Sequence, residues 1–402
     1  MKRKVAVFST VYLPYSKTFV HDELAAHQRY EGHVFCARRA NVERFPHQPV
    51  FVGGRFYEYT RLSPLFDRQL SSGGYALIHA HFGTDAVHAV PFARRHGLPL
   101  VVTFHGFDVP LLASGERFRP MYWAYALLGP SVLREMALGL CASIELCEML
   151  REIGVPPEKL RVHRLGIDVA RFTAGPRHDD ADPLVVMVAR FVPKKGLIYG
   201  IRAFAQVRHV TGRGRLVIAG DGPLRPKLEA AAREADIAAH VEFAGPLPHD
   251  QVAALLTTAD VLMAPSVTTA DGDRESGTIV VKEASAAGCV PLVTWHGGLP
   301  EIVEDGRTGF LVPERDVETL ARRLEDLLRD PALRRRMAQA GRAKILAEYD
   351  NRDRVAALED AYDAVIGAAR RLPAAAPPNA PSAGVPTRSP PPAETAGSPA
   401  DR

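Results

Sequence analysis

The chain lacks most of the features that would place it outside ordinary soluble α/β chemistry. Only four of its 402 residues are cysteine (Cys36, Cys141, Cys147 and Cys289), with no CxxC and no zinc spacing. That argues against a disulfide scaffold, suits a reducing cytoplasm, and reads Cys141 and Cys147 as unpaired core thiols. No apolar run approaches the ~20 residues of a membrane span. The formal net charge is only +4, which gives no case for a nucleic-acid binder. No GxGxxG follows an expected strand, which disfavours a dinucleotide enzyme. The opening MKRKVAVFST is basic and then apolar, but the run stops at Ser9 with no small-residue cleavage site, so it reads as a first strand.

What is present is a rhythm of short apolar strands and amphipathic helices. Strands are expected at Val5–Phe8, Val34–Ala37, Ala76–Ala80, Leu100–Phe104 and Gly139–Ser143. A second set is expected at Leu184–Val188, Arg215–Ala219, Val241–Phe243, Val261–Met263, Val290–Thr294 and Gly309–Val312. Runs such as VVMVA and LVIAG are apolar on both faces, as buried parallel strands are. Helices are expected between them, among others at Phe19–Arg29, Ala86–His96, Leu197–Val207, Pro223–Ala235, Gln251–Thr258, Thr278–Ala287 and Val317–Arg329. The alternation predicts an α/β protein with two doubly wound parallel sheets. Domains are expected at 1–166 and 184–350, joined by a Gly/Pro/Asp linker at 167–183. A helix at 351–371 could return to the first domain, and a Pro/Ala-rich tail at 372–402 reads as disordered.

Open α/β sheets bind ligands beyond the carboxyl ends of their strands, and the chemically suggestive residues cluster there. Arg190 follows a strand and Lys195 precedes a helix, two cations placed to suit a diphosphate. Lys194 reads as the exposed neighbour. Solvated surface charge is the equally weighted alternative. IAGDGP, residues 218–223, is a tight strand-to-helix turn, either functional or merely a turn. ESGTIVVKE, residues 275–283, opens a helix whose free amide groups at Gly277 and Thr278 can hold phosphate oxygens. A carboxylate would compete for those donors, so Glu275 should reach past them to sugar hydroxyls, with Glu283 gripping a second diol. Diol, diphosphate, diol describes a nucleotide sugar. The bland alternative is a helix with one dipole-favoured acid and one exposed acid.

In this combination and order, VARFVPKKGLIYGIRAF, IAGDGP, ESGTIVVKEASAAGCVPLVT and GGLPEIVEDGRTGFLV resemble the retaining glycosyltransferases of family 4. The likeness covers roughly residues 4–350. The N-terminal HAHFGTDA and TFHGFD resemble the branch that builds bacterial exopolysaccharides, of colanic-acid type. The resemblance implies the GT-B fold, two Rossmann-like domains facing across a cleft. It implies a cytoplasmic hexosyltransferase, docked at the inner face of the membrane if the acceptor is lipid-linked. It places Arg190 and Lys195 on the donor diphosphate and Glu275 on the transferred sugar. It sets Gly277, Thr278 and Ile279 at the helix start, Glu283 on the ribose, and His105 across the cleft at the sugar. Many relatives carry a Gly-Gly loop after the first strand. Here VYLPYSKTF has no glycine, and Ser16, Lys17 and Thr18, with Asp108, are taken for the acceptor side.

The partners implied are a nucleotide sugar, with UDP favoured over GDP, and a glycan or polyprenyl-diphosphate-linked acceptor. Neither a cofactor nor a metal is expected. Asp271 and Asp273 spell DxD, but the cations already cover the phosphates. His79 and His81 share a strand face and read as satisfied polar groups rather than metal ligands. The stretch 116–136, with aromatics beside arginines, is either a membrane-docking surface or a packed helix. Two rival readings share the architecture: a nucleotide-sugar 2-epimerase and a non-catalytic two-lobed sugar binder.

Overall fold

A computed structural model describes residues 2–371 except 15–17, 44, 114–121, 176–181, 271 and 277. Ser16, Lys17, Gly277, Asp271, the arginines at 117 and 119 and the tail at 372–402 therefore lie outside the described residues.

The first sheet has seven strands: β1 (Arg3–Tyr12), β2 (Tyr30–Arg39), β3 (Val50–Val52), β4 (Tyr75–His81), β5 (Leu100–Phe104), β6 (Leu138–Cys141) and β7 (Leu160–Val162). Their order is β3-β2-β1-β4-β5-β6-β7. The second has six: β8 (Leu184–Val188), β9 (Arg215–Ala219), β10 (Val241–Gly245), β11 (Val261–Ala264), β12 (Val290–Thr294) and β13 (Phe310–Val312). These run β10-β9-β8-β11-β12-β13, and the strand pairs of both sheets are parallel. Two doubly wound sheets are the expected fold class. In both, the order reverses beside the first strand, which puts a crevice at the carboxyl ends of β1 and β4 and of β8 and β11.

Each sheet is buried on both faces. Phe8, Phe35, Phe66 and Phe92 pack together on one side of the first sheet, and Val5, Val7, Leu77 and Tyr362 on the other. Tyr362 belongs to the helix Asn351–Arg371, which crosses back from the second half of the chain. Its Glu359 is almost fully buried and accepts from the amides of Gln28 (2.9 Å), Arg29 (2.9 Å) and Tyr30 (3.2 Å). Arg29 adds ion pairs to Asp360 and Asp363. These contacts clamp this helix to the first sheet.

Three features were not legible beforehand. β3 and β7 are three residues long, too short to show an alternation. An 18-residue helix, Pro331–Glu348, follows Val317–Arg329 directly, with Asp330 ending one and capping the next. Its arginine-rich sequence hides the apolar stripe, because even Arg334 is buried and donates to the carbonyl of Leu327 at 2.6 Å. No helix among the described residues is long and apolar enough to cross a membrane.

Candidate active site

Between the two sheets lies a cavity of about 460 Å³, lined from one side by Phe19, Phe82, His105 and Gly106 and from the other by residues 188–190, 194–195, 274–276 and 278–280. Four cations, Arg190, Lys194, Lys195 and Arg274, line it against one carboxylate, Glu275. Such an excess of positive charge in a concave, half-dry site favours an anionic ligand.

The loops that carry these residues are braced by glycines. Gly220 and Gly222 lie under the turn after β8. A Cβ at Gly220 would meet the Ala189 carbonyl at 1.8 Å, and one at Gly222 the Phe191 carbonyl at 2.7 Å. The GDGP turn thus lets backbone pass under backbone and fixes the loop that presents Arg190. Gly297 and Gly298 do the same for the second loop, where a Cβ on either would sit 1.7 Å from the carbonyl of Glu275 or Ser276.

Lys195 Nζ donates to Glu275 Oε2 at 2.8 Å, and Lys194 Nζ lies 3.5 Å from Glu275 Oε1. Burial pushes the Glu275 carboxyl up, but Lys195 and Lys194 outweigh it and hold the group down at about 2. Lys194, read from sequence as the exposed neighbour, is instead mostly buried and also pairs with Asp273 at 3.0 Å. The second aspartate of the DxD stretch is thereby engaged with a cation. His296 places the Glu275 backbone: its Nε2 accepts from the Glu275 amide at 2.9 Å while Nδ1 faces Glu314 at 2.6 Å. Thr278 precedes the helix Ile279–Ala286, and its hydroxyl is buried with no hydrogen-bond partner among the described residues. An orphan donor beside the free amides of a helix start leaves unsatisfied groups for a ligand.

From the first sheet, His105 reaches the cavity at the end of β5, packed between Phe19 and Phe82. Its carbonyl accepts from the Ser276 hydroxyl, so the two lobes touch at the site. Arg274 pairs across the lobes with Glu145, and Glu301 accepts from Arg164 at 2.7 Å and from the Ile144 amide at 2.6 Å.

The comparisons divide along the same line as the sheets. Residues 169–344 match the model of glycosyl transferases group 1, and residues 20–171 that of glycosyltransferase family 4. A GDP-mannose-dependent alpha-(1-6)-phosphatidylinositol monomannoside mannosyltransferase of Mycolicibacterium smegmatis is 37% identical over 371 residues, 86% of this chain and 93% of that protein. The chain belongs to glycosyltransferase family 4. The putative colanic acid biosynthesis glycosyltransferase WcaL of Escherichia coli K12 is 36% identical over 249 residues, 61% of this chain and 59% of that protein. The match to the amylovoran biosynthesis glycosyltransferase AmsK of Erwinia amylovora covers 60% of that protein, so the chain spans about three fifths of these exopolysaccharide relatives. Among solved structures, HepE of Anabaena in complex with UDP superposes with a TM-score of 0.74 at 20% identity, covering 90% of this chain and 100% of that one. The fold is GT-B.

Within this family 4 chain, the structure brings Arg190, Lys195, Glu275, Thr278, Ile279 and His105 to one cavity. Glu283 does not line it. One turn deeper than Ile279 on the same helix, its carboxylate accepts from His249 Nε2 at 2.7 Å. Thr18 is half-buried at the start of the helix Thr18–Ala26. Asp108, expected on the acceptor side, is wholly buried. Its two oxygens accept from the amides of Gly83 and Gly106, both at 2.9 Å, and burial raises its carboxyl to about 6. It shapes the turn beyond His105 rather than facing the cleft. Arg274 and His296 are the additions. Arg274 adjoins the Glu275 signature, and His296 the Gly-Gly pair, which were the only sequence signals for them.

Proposed function

We propose that the protein transfers a hexose from a nucleoside-diphosphate sugar to a hydroxyl of a glycan or lipid-linked acceptor, with retention at the anomeric carbon. The observation that carries this reading is the Lys194–Lys195–Glu275 cluster beside Arg190 and the Thr278 helix start. It joins diphosphate-binding cations to a hydroxyl-binding carboxylate in one cavity.

The reaction breaks the bond between the anomeric carbon and the diphosphate oxygen and forms one to the acceptor oxygen on the same face. The departing diphosphate takes the acceptor's proton. The chain's task is to stabilise charge on that leaving group and to orient the two reactants. Arg190 and Lys195, with the helix start, supply the positive potential. Glu275 and His105 contact the sugar from opposite lobes, and Glu283, one turn deeper beside His249 and outside the cavity lining, is assigned the ribose at its far edge. Because cations already face the leaving group, the step is assigned no metal.

The mannosyltransferase relative is GDP-mannose-dependent and the HepE structure holds UDP, so both nucleotides belong in the test. UDP-sugars remain the favoured donors. Exopolysaccharide assembly is the setting suggested by the WcaL and AmsK names. The test is incubation with a panel of UDP- and GDP-sugars, reading free nucleoside diphosphate. Release that disappears in a folded Glu275→Ala variant is the expected result. Isomerised donor without release would replace the reading by an epimerase, and near-normal turnover by Glu275→Ala would remove that residue's role.

A further inference from the structure

Behind His105 stands a second histidine, and behind that a buried acid. His105 Nε2 lies 3.1 Å from Nδ1 of His81, the last residue of β4, and the two rings stack 18° from parallel with centroids 5.4 Å apart. The other nitrogen of His81, Nε2, lies 3.3 Å from Glu23 Oε1, on the helix that packs over the sheet. The angle at that contact is poor for a hydrogen bond. Neither atom has a hydrogen-bond partner among the described residues, so each is the other's nearest means of compensation. Glu23 and His81 are both buried. An anion in such a place needs a proton donor or a cation beside it.

The other groups facing His81 do not supply that partner. His79 lies beside it on β4, but its Nε2 is 2.7 Å from the Thr103 hydroxyl and its Nδ1 2.7 Å from the Tyr362 hydroxyl. Burial holds His79 well below the ordinary histidine range, and His163 at about 4. His27 faces Glu359 at 3.1 Å. Burial alone would raise the Glu23 carboxyl, yet His81, with His79 and His27, outweighs it and keeps the group below the usual carboxylate range.

We propose that Glu23 and His81 are positioning residues that fix the tautomer of His105. The Glu23 carboxylate can only accept, so it favours the His81 tautomer protonated on Nε2. While His81 is neutral its Nδ1 is then a lone pair, and the 3.1 Å contact puts the proton between the rings on His105 Nε2. His105 is left with Nδ1 as its acceptor, which orients a hydroxyl of the donor sugar. Glu23 also stabilises positive charge on the pair whenever His105 gains a proton, as a buried carboxylate does behind an active-site imidazole. The choice of sugar hydroxyl rests on the transferase reading above, while the tautomer does not. The trio Glu23, His79 and His81 has ligand atoms within 4.8 Å of one another, but the two hydrogen bonds of His79 leave only two groups to bind a metal.

The test is a two-bond ¹H–¹⁵N histidine spectrum of the full chain above neutral pH, with His105 assigned by its loss in His105→Gln. The expected wild-type spectrum shows His105 protonated on Nε2. A His105 protonated on Nδ1 overturns the proposal without any variant. Glu23→Leu keeps the volume but removes the acceptor, and should give a mixture of His105 tautomers. In that variant kcat/KM for the sugar nucleotide should fall at least about tenfold, the worth of one misplaced hydrogen bond. Affinity for the free nucleoside diphosphate, which stops short of His105, should stay within about twofold. Equal losses in both would mean a structural role and sink the proposal. Glu23→Asp should restore the wild-type tautomer. If wild type releases no diphosphate from any donor, the transferase reading fails and the spectra still decide the relay. Stoichiometric Zn²⁺ that shifts the ring nitrogens of both His79 and His81 would overturn the relay in favour of a metal site.

Discussion

Lys195→Ala tests the diphosphate cradle most directly. In the donor-free protein Lys195 Nζ sits 2.8 Å from Glu275, and both side chains are about 85% buried, with exposures of 15% and 13%. At an effective dielectric of about 20, a charge that faces a leaving-group oxygen at about 3.5 Å is worth about 5 kcal/mol. Losing one donor aimed at developing negative charge typically costs about 3–4 kcal/mol, so kcat/KM should fall about 10²- to 10³-fold. The same change should act on stability. Glu275 is held at about 2 against an ordinary 4.5, a depression on the order of 3 kcal/mol at neutral pH shared among Lys195, Lys194 and His296. Lys194 stays in place, so the variant should lose about 1–2 kcal/mol. The sign follows from the depressed folded value. The contribution is fully present above about 4.5 and disappears as pH falls toward 2, so wild type and variant should converge in acid. Initial rates of diphosphate release and urea unfolding between pH 7 and pH 3 measure both effects. A folded variant with kcat/KM within about threefold of wild type would refute the cradle.

Other outcomes follow from the same structure. Glu359→Ala removes a buried carboxylate that holds three backbone amides, and should lower unfolding free energy by about 3–5 kcal/mol in urea titration; a loss under about 1 kcal/mol would mean the C-terminal clamp is secondary. Transfer should persist in excess chelator, and strict dependence on added Mg²⁺ would bring Asp271 and Asp273 back as metal ligands. Trp123 and Leu127, 56% and 78% exposed, lie on the helix Trp123–Glu135 and are the apolar part of the suggested docking surface. Wild type should sediment with acidic liposomes and the Trp123→Ser/Leu127→Ser variant should not; equal, negligible pelleting of both would end the membrane idea.

Much of the site was legible because its signals are local. Glu275 and Glu283 bracket the start of one helix, and the apolar runs that became β8, β9 and β12 end just before Arg190, the GDGP turn and the Gly-Gly loop. What misled was exposure. The sequence set Lys194 apart as the exposed neighbour, yet it is drawn onto Glu275 along with Lys195, because the loop after β8 packs against the one before Ile279. Asp108 looked like a cleft residue because it follows His105 closely. Its burial comes from Gly83, a neighbour 25 positions away whose amide it holds.

The sequence by itself determined the two doubly wound sheets, because strands buried on both faces must be continuously apolar and must alternate with helices. It also set the chemical inventory of the cleft. The tertiary structure alone decided which charges meet. Glu23, His81 and His105 come from three separate elements, and Glu359 reaches the first sheet only after the chain has traversed the second. Pairings of that kind depend on distance through the folded interior, which the order of residues along a chain does not encode.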